Sequence, residues 1–276
     1  MTHEIQLIIK EIQDQEKIRD SAINVVGGIA SSVALFTDLF ATGGFLSLLS
    51  PIVGEATKNL IRGQFIENKT PNRRTKLIAS LKHALIQIDD MQKNGISFRN
   101  DGELTGIWSG RTSIEEILED FFKFSINESE AKKLKFYSNL FTSAVFENGF
   151  SKQEFHHLIK TLDTLTYKQL VLINIAYKKS QGPYQTLLKA DHSQFEATPE
   201  KLPPELLCTL QEILNLFQLG FVGERNTGGT FLSLPDAFAV TPDQLIIYGQ
   251  GKRLYELCKL DQIEDADVQY VADLLS

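Results

Sequence analysis

The residues able to do chemistry come in small groups, and each group can be held against what its chemistry requires. Gly27-Gly28-Ile29-Ala30-Ser31-Ser32 has the small residues of a phosphate-cradling loop, but no Gly-Lys-Ser/Thr completes it, so the lysine that would meet the phosphates is missing. His156 and His157 are adjacent. On a helix they would point about 100° apart, which keeps them from sharing one metal, and they read as solvated or capping residues. Glu115-Glu116 and Asp89-Asp90 read as surface carboxylate pairs on the same ground. Cys208 and Cys258 lie far apart, outside any Cys-x-x-Cys pair and without a histidine cluster, so they read as two buried free thiols rather than zinc ligands. No Gly-x-Ser-x-Gly elbow and no His-Glu-x-x-His motif occurs. The expectation is a protein that is not an enzyme, with no catalytic residue, no metal, no cofactor and no evident small-molecule substrate.

The elements that would have to position any site follow from composition and periodicity. With 42% apolar and 23% charged residues the chain can bury a large core without staples, which excludes disorder and a small disulfide scaffold. Its 28 basic and 35 acidic side chains give a net charge of −7, which disfavours nucleic acid as the default partner. Met1 to Asp20 alternates charged and aliphatic residues and offers no uninterrupted apolar h-region, so no secretory signal is expected. A reducing cytoplasm is the expected compartment.

Ile5, Ile8, Ile9 and Ile12 carry the spacing of an amphipathic helix. From Ser21 to Gly54 the one charged side chain is Asp38, and the glycine pairs Gly27-Gly28 and Gly43-Gly44 divide the stretch. Seven basic residues follow between Lys58 and Lys82 against the single acid Glu67. A helix from Arg73 to Lys93 aligns Leu77, Leu81, Leu85 and Ile88 on one face, and a loop runs from Asn94 to Gly110. Ser113 with Glu116, Ser125 with Glu128, Ser151 with Glu154 and Thr166 with Gln169 fit the capping-box spacing. The longest helix is expected from Glu128 to Phe146, with Leu134, Tyr137, Ser138, Phe141 and Val145 inward. Further helices are expected around Phe155 to Leu162 and Leu170 to Tyr177. Pro203-Pro204 opens another, ending at Gly220. A strand at Phe221 to Gly223, a turn at Asn226-Thr227-Gly228-Gly229 and a returning run at Phe231 to Leu234 come next. A short strand at Leu245 to Tyr248, a helix from Gln250 to Leu260 and a last short helix at Val268 to Leu275 complete the chain.

The fold class that results is mainly α, a helical bundle with a small C-terminal winged-helix-like α+β module. Residues 1–110 form an N-terminal helical region containing the apolar hairpin (21–54) and the basic stretch (58–82), residues 111–150 a helical middle, and residues 151–276 the winged-helix-like domain. Such modules commonly enter DNA with the helix before the wing. Here that helix, Pro203 to Gly220, carries Glu205 and Glu212 and no Lys or Arg, which argues against phosphate contact. The apolar segment admits two roles, a hairpin packed through its glycines or a lipid-active element with Phe36, Phe40, Gly43, Gly44, Phe45 and Leu46 as contacts to a membrane or partner. Asp38 favours the packed hairpin, since a carboxylate is costly in hydrocarbon. Lys58, Arg62, Lys69, Arg73, Arg74, Lys76 and Lys82 are the candidate contacts to an anionic partner, a membrane surface or nucleic acid.

Four stretches, Ala131 to Phe141, Leu165 to Leu170, Leu219 to Val222 and Leu245 to Leu254, together resemble the bacterial abortive-infection alpha (Abi-alpha) proteins. The Leu-Thr-x-x-Gly run usual near the end of that group is replaced by Leu245-Ile246-Ile247-Tyr248-Gly249. The resemblance implies a helical region ahead of a winged-helix-like end, with a role in defence against phage. The expected protein is therefore a non-enzymatic sensor or effector working through protein contacts or self-association, peripheral to the inner membrane if its hairpin meets lipid. The other class of function is a nucleic-acid-binding regulator using residues 58–82.

Overall fold

A computed structural model describes residues 71–108, 110–182, 203–224, 242 and 245–275. The apolar segment 21–54, the turn 226–229 and the run 231–234 lie outside the described residues. The chain divides into two compact units, Met1–Leu162 and Asp163–Ser276.

In the first unit, α1 (Pro71–Lys93) starts on a proline at its first position and buries Leu77, Leu81, Leu85 and Ile88 as their spacing predicts. It stops at Asn94-Gly95. Gly95 takes φ +76°, and the Ile96 N–H reaches back to the Met91 carbonyl at 2.9 Å, satisfying an end carbonyl of the helix. The expected loop to Gly110 holds a small hairpin instead, β1 (Ile107–Trp108) against β2 (Arg111–Thr112), with Trp108 opposite Arg111.

Helix α2 (Ser113–Asn127) is capped one residue earlier than the Ser113/Glu116 spacing suggests. Thr112 is its N-cap, and the Thr112 N–H donates to the Glu115 carboxylate at 2.7 Å. Nor does Ser125 start a helix. It lies inside α2, and Glu128 follows the end of that helix and caps the next turn, accepting the Glu130 N–H at 2.7 Å. A 3-10 turn (Ala131–Lys133) therefore stands where the long helix was expected to begin, and α3 runs Leu134–Phe146. The longest helix among the described residues is α1. Nearly all of α3 is buried between α1 and α2. The Ser138 hydroxyl donates to the Ser80 carbonyl at 2.7 Å, a contact that requires α1 and α3 to approach closely, and the Phe121 and Phe141 rings stack at 4.9 Å. Helix α4 (Lys152–Thr164) begins as expected, its Glu154 N–H donating to the Ser151 hydroxyl at 3.1 Å.

In the second unit, α5 (Tyr167–Ser180) has the reciprocal cap its sequence announces. The Gln169 N–H donates to Thr166 Oγ1 at 3.1 Å, and the Thr166 N–H donates to the Gln169 side chain at 3.0 Å. Every residue from Gln169 to Ala176 is buried, so α5 is apolar-packed on all sides and forms the axis of the unit. Around it pack α6 (Pro204–Gln218), α7 (Gly249–Cys258), α8 (Asp265–Leu274) and a two-stranded antiparallel sheet, β3 (Val222–Glu224) with β4 (Leu245–Ile247). Gly223 pairs with Ile246. Two glycines permit this sheet to close on α7. A Cβ at Gly223 would meet the Tyr248 ring at 1.9 Å, and one at Gly251 would meet the Phe221 carbonyl oxygen at 2.2 Å.

Two substitutions test this packing. Phe141→Ala should cost about 3–5 kcal/mol in chemical denaturation, because the ring is fully buried against Phe121. Gly251→Ala in a helix ordinarily gains up to about 1 kcal/mol. Here the clash is with backbone, and the expected sign is reversed, with a lower melting midpoint.

Candidate interaction surface

The surface of α6 is a product of its periodicity. Thr209, Leu210, Ile213 and Leu216 turn inward and are buried, while Glu205, Cys208, Gln211 and Gln218 are exposed. The helix ends when the Leu219 N–H donates to the Asn215 carbonyl at 3.0 Å, Gly220 takes φ +73°, and the Phe221 N–H returns to the Leu216 carbonyl at 2.9 Å. That turn leaves Leu219 50% exposed and aims the chain into β3.

Both carboxylates of α6 are engaged by hydroxyls. Thr166 Oγ1 donates to Glu212 at 3.2 Å, and the Tyr270 hydroxyl donates to Glu205. The Glu205 carboxylate holds the Tyr270 hydroxyl above its ordinary pKa. Tyr167 donates to Asp267 at 2.7 Å, and burial, aided by that carboxylate, pushes its hydroxyl well up. Glu264, Asp265 and Asp273 line the exposed side of α8 and its cap, with Lys178 3.7 Å from Asp265. The helix before the strands is therefore acid at its start, uncharged along its outer side, and neighboured by further carboxylates.

Of the expected anionic-partner contacts, Lys58, Arg62 and Lys69 lie outside the described residues, as do Phe36, Phe40, Gly43, Gly44, Phe45 and Leu46. Arg73, Arg74, Lys76 and Lys82 are on α1. Arg73 is exposed, and Lys76 and Lys82 are half-buried. At about 100° per residue, Arg73 and Lys76 sit on one flank of the buried stripe and Lys82 on the other, so these basic groups do not form a single face. Among the described residues no helix is long and apolar enough to cross a membrane, and no group of three His, Cys, Asp or Glu side chains is arranged to hold a metal ion.

Several residues differ from their sequence-based expectation. Asp89 is fully buried and pairs with Lys93, and Glu115 is buried by its cap contact to Thr112, so neither is a surface carboxylate. Cys258 is buried as expected, and burial pushes its thiol up, but Cys208 is exposed on α6. His157 is exposed; His156 is not simply solvated, since its Nδ1 meets Asp120 and its Nε2 lies 3.7 Å from Glu116. Lys152 Nζ bonds Glu116 at 2.8 Å and holds that carboxyl below its usual range.

Two buried charges, Arg99, which no motif marks, and Glu128, read from the sequence as part of a capping box, gather partners of their own. The Arg99 guanidinium donates to Asp101 and to the carbonyls of Ala144 and Phe150. Asp101 also accepts the Gly149 and Glu103 N–H groups at 3.2 Å, and Arg99 beside it lowers its carboxyl to about 2. Burial raises the Glu128 carboxyl, but the Glu130 N–H, Lys133 at 2.7 Å and the Tyr137 hydroxyl at 2.8 Å outweigh it and hold the group below its usual range.

Carboxyls depressed in the folded state stabilise it above their unfolded pKa values, about 3.9 for Asp and about 4.3 for Glu, and lose that contribution as pH falls through the folded ones. The first unit should therefore keep its full melting midpoint at neutral pH and lose it progressively below about pH 4. Asp101→Asn should lower the midpoint at neutral pH and reduce the further loss toward about pH 2, read by circular dichroism melts. No family model, no curated protein and no solved structure matches the chain.

Proposed function

We propose that the chain is a non-enzymatic bacterial protein that acts through protein contacts of its second unit, a winged-helix-like module in which β3 and β4 are wing strands and α6 is the helix before the wing. The observation that carries this reading is the chemistry of α6. It bears Glu205 and Glu212 and no basic residue, on a segment whose final stretch from Asp261 holds five acids and no base. DNA phosphates would be repelled there, whereas an uncharged helix side flanked by acids suits a protein partner, whose interface cores are poor in charge. The resemblance to the Abi-alpha group supports a role as a cytoplasmic sensor or effector in phage defence or a similar stress response, peripheral to the inner membrane only if the apolar segment 21–54 meets lipid instead of packing as a hairpin.

The nucleic-acid reading draws on the basic run, of which Arg73 is exposed. Fluorescence anisotropy of the full chain with labelled duplexes over a salt series separates the two. The expected result is no specific sub-micromolar binding at physiological salt, with any weak association falling steeply as salt rises and lost in Arg73→Glu with Lys76→Glu. Specific sub-micromolar binding that is abolished by Gln211→Ala with Gln218→Ala on α6 would overturn the contact reading.

A further inference from the structure

The connection between α2 and α3, residues 128–133, turns without the residues that usually stop a helix. Helices α1 and α3 are followed by glycines of positive φ, Gly95 and Gly149. Glu128-Ser129-Glu130-Ala131-Lys132-Lys133 holds no glycine or proline and, Ser129 apart, consists of good helix formers. Its departure from the helix is short. Glu128 (φ −60°, ψ 130°) and Glu130 (φ −95°, ψ 100°) are extended, and by Ala131 the chain is already in a 3-10 turn. Side-chain bonds at one carboxylate hold the bend. Glu128, with its side chain 3% exposed, accepts from the Glu130 N–H, from the Lys133 ammonium, whose side chain is 2% exposed, and from the Tyr137 hydroxyl. A buried ion pair recovers little beyond the cost of its own desolvation, so this latch sets the direction of the chain with little net stabilisation.

We infer that residues 128–133 are a latent hinge, at which α2 and α3 join into one helix from 113 to 146 while two copies exchange the elements ahead of it. The packing of the first unit favours such an exchange. Glu128 meets Tyr137 beside the turn and Phe121 stacks on Phe141 farther from it, the order of an antiparallel pair. Straightening the hinge separates these faces along a helix roughly 50 Å long and puts Phe121 and Phe141, both fully buried in the bent chain, into water. A second straightened copy lying antiparallel restores the contacts, α2 of one against α3 of the other. Helix α1, which packs on both α2 and α3, keeps its own α2 and meets the other copy's α3. The Arg99 bonds to the Ala144 and Phe150 carbonyls re-form between copies in the same way. No new interface is needed, because every contact except those of the hinge is one the chain already makes with itself. The Glu128 cluster is lost, and helical hydrogen bonds through 128–133 replace it. The inference concerns the first unit and stands apart from the contact reading of the second.

Size-exclusion chromatography with light scattering on the full chain tests it. Wild-type chain incubated at high concentration in urea near its unfolding midpoint, then returned to buffer, should yield a fraction at the mass of two chains that persists on dilution, since separation requires the hinge to bend again. Glu128→Leu with Lys133→Leu and Tyr137→Phe removes the latch without leaving a buried partner unpaired, and should give the double mass with no urea step. Adding Ser129→Pro, which forbids a helix through the hinge and suits the extended Glu128 before it, should return that variant to the mass of one chain. Ser129→Gly with Glu130→Gly, which fits any bend and weakens the straight helix, should lower the dimer fraction severalfold and serves if the proline lowers the melting midpoint. A folded latch-free variant that stays at the mass of one chain would overturn the inference. So would a dimer that survives both hinge substitutions, because association through an outer surface needs no straight hinge. If the latch-free variant does not fold, the urea-treated wild type decides, and either no dimer or a dimer formed equally by the Ser129→Pro chain would end the proposal.

Discussion

A guanidinium can lie in an apolar core when its donors are answered by fixed acceptors. The Arg99 side chain is 2% exposed, and its partners are Asp101, the Ala144 carbonyl at 3.3 Å and the Phe150 carbonyl. Those acceptors come from separate parts of the first unit, so one side chain ties the connection after α1 to the end of α3 and to the turn before α4. Backbone N–H groups follow the same path. The Arg99 N–H reaches the Val145 carbonyl at 3.1 Å, and the Lys152 N–H reaches the Glu103 carboxylate at 2.9 Å. Phe98 stacks on Phe146 at 4.8 Å beside them. Taking away Asp101 would leave the buried guanidinium without its counter-charge, at a cost below the roughly 3–5 kcal/mol of a fully buried pair because Asp101 is itself open to solvent.

Helices with a long buried stripe were readable in the sequence, because burial on one side imposes the same period in sequence and in space. Leu77 to Ile88, Phe155 to Leu162 and Leu210 to Leu216 are of this kind. The start of α5 was readable for a different reason, since both partners of its cap lie within three residues. Glu128 to Lys133 misled because its pattern is helical, while the Glu128 carboxylate gathers an N–H, an ammonium and a hydroxyl that bend the chain. The 107–112 hairpin is too short to show alternation. His156 looked like a surface residue because Asp120 belongs to another helix, 36 residues away.

For the candidate surface, the acid character of α6 and its lack of Lys and Arg were plain in the sequence. Its uncharged row was not, because Cys208, Gln211 and Gln218 become an outer side when Leu210, Ile213 and Leu216 are known to face α5 and its neighbours. The basic run shows the reverse. A count of charges suggested one face, and the helix that carries Arg73, Lys76 and Lys82 distributes them around a buried stripe.

Helix α5 is enclosed by elements that follow it in the chain, and the Tyr167 hydroxyl finds its acceptor, Asp267, 100 residues later. During synthesis α5 must therefore exist before anything can cover it. At ribosomal rates of about 5–20 residues per second, that interval is on the order of 5–20 s. Over that interval α6, β4, α7 and α8 arrive one after another, and a helix buried on every side stays only partly covered until the last of them is made. The nascent second unit is thus a natural client for chaperones that hold apolar segments, and its yield in a cell should depend on translation speed between α5 and α8 more than on the stability of the finished fold.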